Sequence, residues 1–323
     1  MKNNISLALI TVLVFTMVLV GFTGQVQAEE DYLYIQVSML SALDYFYDHQ
    51  MGLEVAGEHM GVETRYMGPS GNDLAAMADT LEQAIAMSPD GILVVGFDEM
   101  LNPIVNDAVA QGIPVVTLDA DLPNSDRLAF VGTGNFEAGY MGGQEMAKRL
   151  NGEGQIGLLT LPGQPNLDER VDGYEAALAE YDIEIVQIAN TESDEVVAAS
   201  AASSILERFP ELDGIACVEA AGGVGAATAV MEAGRIGEVV IISMDRDEET
   251  LSYIEQGVIT ASIAQQTALM PYYGLQLMHN LNTGNVPEIT TNNEAAGITG
   301  TPLSIDTGAV LVDENNYQYF QRD

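Results

Sequence analysis

A set of acids, amides and one arginine stands where short apolar runs end. Asp98 follows the run at 91–96, Asp119 and Asp121 follow 113–118, Glu219 follows 214–218, and Asp245 follows 239–244. Gln164, Asn166 and Arg170 come after 155–160, Gln265 after 258–264, and Ser38 with the pair Tyr45 and Phe46 at the end of 33–38 and just beyond it. Carboxylates accept hydrogen bonds, amides donate and accept, and a guanidinium presents donors in a fixed fork. Aromatic rings offer apolar faces. Together these groups suit a small polyhydroxylated molecule, whose hydroxyls need both donors and acceptors and whose C–H faces need rings. Nucleophilic chemistry has no such support. Cys217, the single cysteine, lies inside the apolar run Gly214-Ile215-Ala216-Cys217-Val218 and reads as a small buried hydrophobe. His49, His59 and His279 share no cysteine or carboxylate pattern, so neither a metal site nor a cofactor is expected.

The elements that must position these residues alternate. β-rich runs at 33–38, 62–67, 91–96, 113–118, 128–132, 155–160, 183–188, 214–218, 239–244 and 258–264 are separated by segments of helical period, among them 46–60, 72–87, 137–150, 168–181, 194–209 and 222–233. That order predicts right-handed βαβ units and parallel sheets. Ile92-Leu93-Val94-Val95 and Val239-Val240-Ile241-Ile242 are apolar on both faces, as strands covered by helices on two sides must be. Pro89-Asp90-Gly91 and Pro210-Glu211-Leu212-Asp213-Gly214 punctuate equivalent helix-to-strand steps about 120 residues apart. One unit used twice gives an α/β fold of two similar doubly wound lobes. In parallel sheets ligands collect beyond the carboxyl ends of strands, which is where the polar set lies.

The chain opens with Lys2, an apolar run at 5–20, and Val26-Gln27-Ala28. This is the pattern of an export signal, cleaved near Ala28, and no later stretch is expected to span a bilayer. With 48 acids against 10 basic residues the formal charge is −38. Removal of residues 1–28 takes only Lys2 among charged groups and leaves −39 on 295 residues, with Lys148 the sole lysine. Such a surface repels nucleic acid and anionic membranes. It fits a protein kept soluble in strong brine.

Five segments in order resemble the periplasmic sugar-binding proteins of the ribose-binding and galactose-binding type, from about Tyr32 to about Asp313. They are Gly112-Ile113-Pro114-Val115-Val116-Thr117-Leu118-Asp119, Val131-Gly132-Thr133-Gly134-Asn135 with Ala138-Gly139, Gly163-Gln164-Pro165-Asn166 through Arg170 to Gly173-Tyr174, Ile242-Ser243-Met244-Asp245, and Ala261-Ser262-Ile263-Ala264-Gln265. The resemblance implies ring stacking by Tyr45 and Phe46, hydroxyl acceptance by Asp119, donation by Arg170, and contacts from Asp245, Gln265, Gln164 and Asn166. It further implies three hinge crossings, near 133–135, 264–266 and 297–302. One lobe would comprise 31–133 plus 265–296 and the other 134–264 plus 297–323. Partners would be a sugar or polyol and the permease of an ABC importer, with a chemoreceptor or sensor kinase as the other membrane partner, and the protein would be a periplasmic monomer. Three positions depart from the pattern: Ala120 replaces an arginine, Glu219 an asparagine, and Gly96 an amide. These changes remove donors and add charge, pointing away from plain ribose toward a hexose, a polyol or an amino sugar.

Two enzymatic readings compete. Gly222-Gly223-Val224-Gly225 opens a helix after a strand in the manner of a dinucleotide fingerprint, but Thr228 fills the place of its third glycine. Asp119, Glu219 and Asp245 could supply a glycosidase pair, though a chain this acidic offers such pairs freely. A sugar-responsive repressor would need a helix-turn-helix and a basic surface instead of the export signal. Like-charge repulsion on so acidic a chain is relieved by screening, so the melting temperature should climb from dilute buffer to molar salt; a flat curve would contradict the brine reading.

Overall fold

The computed structural model describes residues 32–293 and 295–322, and the export signal lies outside the described residues. Twelve strands form two six-stranded sheets, ordered β11-β5-β4-β3-β1-β2 and β12-β10-β9-β8-β6-β7. In the first are β1 (Leu33–Val37), β2 (Glu63–Met67), β3 (Gly91–Val95), β4 (Val115–Leu118), β5 (Ala129–Gly132) and β11 (Ser304–Asp306). In the second are β6 (Glu153–Thr160), β7 (Asp182–Asn190), β8 (Gly214–Cys217), β9 (Val240–Met244), β10 (Ala261–Gln265) and β12 (Ala309–Asp313). All pairings are parallel except β12 with β10. The helices are α1 (Asp44–Met60), α2 (Leu74–Ala86), α3 (Asn102–Ala110), α4 (Asn135–Arg149), α5 (Pro165–Leu178), α6 (Glu195–Arg208), α7 (Ala220–Glu232), α8 (Glu248–Glu255) and α9 (Leu269–Asn282). None is long and apolar enough to cross a membrane.

The duplication legible at Pro89 and Pro210 is carried by hydrogen bonds. Asp90 accepts from the backbone N–H of Leu33 at 2.8 Å, and Asp213 accepts from that of Gln155 at 2.8 Å. Each aspartate thus stitches the approach to a central strand onto the neighbouring strand. Ile92, Leu93, Val94 and Val95 are fully buried, as helices on both faces require. Cys217 is buried in the second core beside Ile215 and Ala227. The glycines that open α7 serve packing: a Cβ on Gly223 would stand 1.8 Å from the Ser243 hydroxyl, and one on Gly225 2.5 Å from the Ala198 methyl.

Three crossings join the lobes. Thr307 donates its N–H to the Gly132 carbonyl at 2.8 Å, Gly134 donates to the Asp306 carboxylate at 2.7 Å, and Gln266 donates its amide to the Thr307 carbonyl at 2.5 Å. The first runs through Thr133 and Gly134 and the second through Gln266 and Thr267. The third differs: residues 304–306 pair with Phe130, Val131 and Gly132 in the first sheet, so the chain leaves that sheet at Thr307–Gly308, not at 297–302. A three-residue strand leaves too short a pattern to read.

Helices α4 and α5 meet backbone to backbone, and this contact fixes the helix that carries Arg170. A Cβ on Gly139 would lie 2.0 Å from the Arg170 carbonyl oxygen, and one on Gly173 2.2 Å from that of Phe136. Gly139→Ala gains about 1 kcal/mol in helix propensity but forces two helices apart, at about 1–3 kcal/mol for overpacking and more when backbone must move. The variant should melt below the parent; an unchanged or raised melting temperature would contradict this packing.

Candidate functional site

Equivalent strands deliver equivalent aspartates. Asp119 follows β4 and Asp245 follows β9, the same place in the two sheets, and both have left-handed backbone, φ 63° and 68°. Aspartate tolerates this region better than most L-residues. Each is pinned by its own N–H, Asp119 to Val131 O and Asp245 to Ile263 O, both at 3.0 Å. The strand edge therefore decides where the carboxylates stand.

Their neighbours come from both lobes. Tyr45, on the first turn of α1, donates its hydroxyl to Asp119 Oδ1 at 2.6 Å, and Gln265, at the end of β10, donates Nε2 to Asp245 Oδ1 at 2.9 Å. Arg170, only 3% exposed, donates Nε to Asn135 Oδ1 and Nη1 to the Val218 carbonyl, each at 2.9 Å. Glu219 caps α7, accepting from the Ala221 N–H at 3.1 Å and from the Thr191 hydroxyl at 2.8 Å. Withdrawal from water pushes the Asp245 carboxyl up to about 6; Arg170 and the Gln265 amide oppose the rise, while Asp119 and Asp247 add to it. Burial, then the charges of Asp119 and Asp245, drives the Tyr45 phenol well above its usual value. Burial raises Glu219 too, against its hydrogen bonds and the Arg170 charge. Asp119, Asp245, Tyr45 and Arg170 thus share one electrostatic environment, although they come from two lobes.

A pocket opens among Tyr45, Asp48, Asp245, Arg246, Gln265 and Arg322. Hydrogen bonds and a shared electrostatic environment bring together Tyr45, Asp119, Arg170, Glu219, Asp245 and Gln265 of the expected set, although only Tyr45, Asp245 and Gln265 of these line that pocket. The other five are placed differently. Ser38 is fully buried and gives its hydroxyl to the Met39 carbonyl at 2.9 Å. Phe46 is also buried, packed edge-on against Tyr45, His49 and Phe97, so it supports the Tyr45 ring from behind. Asp98 is exposed and caps the Met100 N–H at 2.8 Å, the role Glu219 plays in the other lobe. Gln164 is exposed and Asn166 half-buried, at the amino end of the helix that carries Arg170. Asp121, a further acid beyond the strand end, is neutralised by Arg127, which reaches both its oxygens at 2.5 Å.

Sequence reasoning missed Asp48, Arg246, Arg322 and Thr267. Asp48 lies one helical turn beyond Tyr45 and so on the same face. Arg246 had a readable signal: Asp245-Arg246-Asp247 repeats Asp119-Ala120-Asp121, with an arginine where the first copy has alanine. Among the described residues no group of three or more His, Cys, Asp or Glu could hold a metal ion.

A family model described as a periplasmic binding protein domain matches residues 35–285. The chain belongs to that family. It is 25% identical to the D-ribose/D-allose-binding protein of Pseudomonas aeruginosa over 73% of this chain and 75% of that one. It is 28% identical to the xylitol-binding protein of Mycolicibacterium smegmatis over 84% and 80%. Among solved structures, an arabinose-binding protein from Geobacillus stearothermophilus superposes with a TM-score of 0.84 at 34% identity, covering 90% of this chain and all of that one. These relatives are binding proteins, and this periplasmic binding protein is likewise a binder and not an enzyme.

The raised Asp245 pKa has a definite sign. Between about 4 and about 6 the folded protein holds a proton that the unfolded chain has lost, so this group's contribution to stability falls as pH rises through that window and is flat above it. The effect is at most about 3 kcal/mol, less for the water that still reaches the half-buried side chain. Asp245→Asn should remove that part of the slope. Parallel stability curves for parent and variant from pH 4 to 6 would contradict the burial argument.

Proposed function

We propose that this periplasmic binding protein captures a neutral monosaccharide or a related polyol between its lobes and presents it to the permease of an ABC importer. The observation that carries the reading is the convergence of Asp119 and Asp245 from equivalent strands of the two lobes, with Tyr45, Glu219 and Gln265 around them and Arg170 in their field. Carboxylates at opposed strand ends accept from ligand hydroxyls, Gln265 and Arg170 donate, and the Tyr45 ring covers a C–H face. The relatives' names bear on the ligand class: D-ribose or D-allose, xylitol and arabinose are all uncharged polyhydroxylated molecules. An anionic sugar would meet Asp119, Glu219 and Asp245, and burying its charge without a partner is costly. Residues 1–28 supply the export signal, and the freed chain acts as a periplasmic monomer.

A thermal-shift panel tests this. D-Ribose, D-allose, L-arabinose and xylitol are compared with glucose 6-phosphate and gluconate, since a ligand at 100 times its Kd stabilises by about 2.7 kcal/mol. At least one neutral compound should raise the melting temperature, and the two anions should not. Arg170→Ala should weaken the best binder tenfold or more, matching about 1.5–3 kcal/mol for a charged hydrogen bond. Tight binding of an anion, or unchanged affinity in Arg170→Ala, would overturn the assignment of the cleft.

A further inference from the structure

Asp48 is an anion held inside the protein, its side chain 4% exposed. Its two arginine partners come from beyond its own lobe. Oδ2 accepts from Arg246 Nη2 and from the Thr267 hydroxyl at 3.2 Å, and Oδ1 accepts from Arg322 Nη2 at 2.9 Å. Asp48 sits on α1 against the first sheet, whereas Arg246 follows β9 of the second. Arg322 ends a tail whose Tyr317 and Phe320 pack on the second lobe's core. Thr267 stands in the middle crossing. The two cations are themselves tied: Arg246 Nη1 donates to the Phe320 carbonyl at 2.9 Å, and the Arg322 guanidinium lies 5.1 Å from the centre of the Tyr47 ring, one residue from Asp48.

A carboxylate taken out of water is tolerated only while its partners stay in place; removing them leaves a buried charge uncompensated. Separation of the lobes would draw Arg246 and Arg322 away from Asp48 together, because both ride on the second lobe. We infer that Asp48, Arg246 and Arg322 form an ionic latch across the hinge that sets the share of closed protein and, through it, the affinity for sugar. Asp48 is in this sense a positioning residue, acting on the ligand through closure, since apparent affinity scales with the population of the binding-competent state. The affinity part rests on the proposed capture of a sugar; the closure part does not.

Small-angle scattering of the full-length, ligand-free protein reads closure directly. Asp48→Asn should raise the radius of gyration relative to the parent in low-salt buffer, and Arg322→Gln, which leaves the Arg246–Asp48 pair in place, should raise it less. Circular dichroism checks folding; if Asp48→Asn does not fold, Arg246→Gln takes its place beside Arg322→Gln. Titration with D-ribose, D-allose, L-arabinose and xylitol should show at least tenfold weaker binding in Asp48→Asn, mainly through faster release. A merely structural role would lower the melting temperature and leave both readouts alone. Radii of gyration equal to the parent's in the folded variants would overturn the latch. If none of the four compounds binds the parent, the sugar reading fails while scattering still decides the latch.

Discussion

The cleft depends on keeping several carboxylates in a small volume that water reaches poorly. Burial raises Asp245 and Glu219, and the charge of Asp119 adds to the effect on Asp245 and on the Tyr45 phenol. Such a cluster stays ionised only where donors are fixed around it. The donors are present and each is itself braced: Arg170 by Asn135 and the Val218 carbonyl, Gln265 by its place in β10, Arg246 by the Phe320 carbonyl. The balance leaves acceptor oxygens for ligand hydroxyls and little unspent positive charge. Such a balance suits a ligand of hydroxyls better than an anion.

Duplication explains why the balance straddles two lobes. Asp90 and Asp213 stitch equivalent strands, Asp98 and Glu219 cap equivalent helix starts, and Asp119 and Asp245 share a left-handed backbone. The copies then diverged in what surrounds each pair. Asp98 is exposed while Glu219 is half-buried against Thr191, and Asp121 binds Arg127 in its own lobe while the second Asp-x-Asp carries Arg246, which reaches across to Asp48. A repeated frame supplies the positions, and local partners decide which of them face the cleft.

Ten strands and the strand-end position of the acids were legible, the inner ones because parallel strands buried on both faces read as short apolar runs. β11, three residues long, and β12, only partly buried, were not, and with them went the place of the third crossing. Which strand-end residues turn inward was legible only in part. Ser38 looks like a ligand hydroxyl until its partner, the Met39 carbonyl, is seen, and nothing in its type distinguishes the two roles. Asp48 was hidden for a related reason: an acid in the middle of a helix reads as solvated, and its burial depends on arginines about 200 and 270 residues away in sequence.

The most direct test of sugar capture in the cleft is a crystal structure with the tightest-binding neutral compound of the panel. Both Asp119 and Asp245 should lie within hydrogen-bonding distance of ligand hydroxyls, with the Tyr45 ring against the ligand and Arg170 donating to it. A ligand bound outside the cleft, or one touching only one of the two aspartates, would contradict the account.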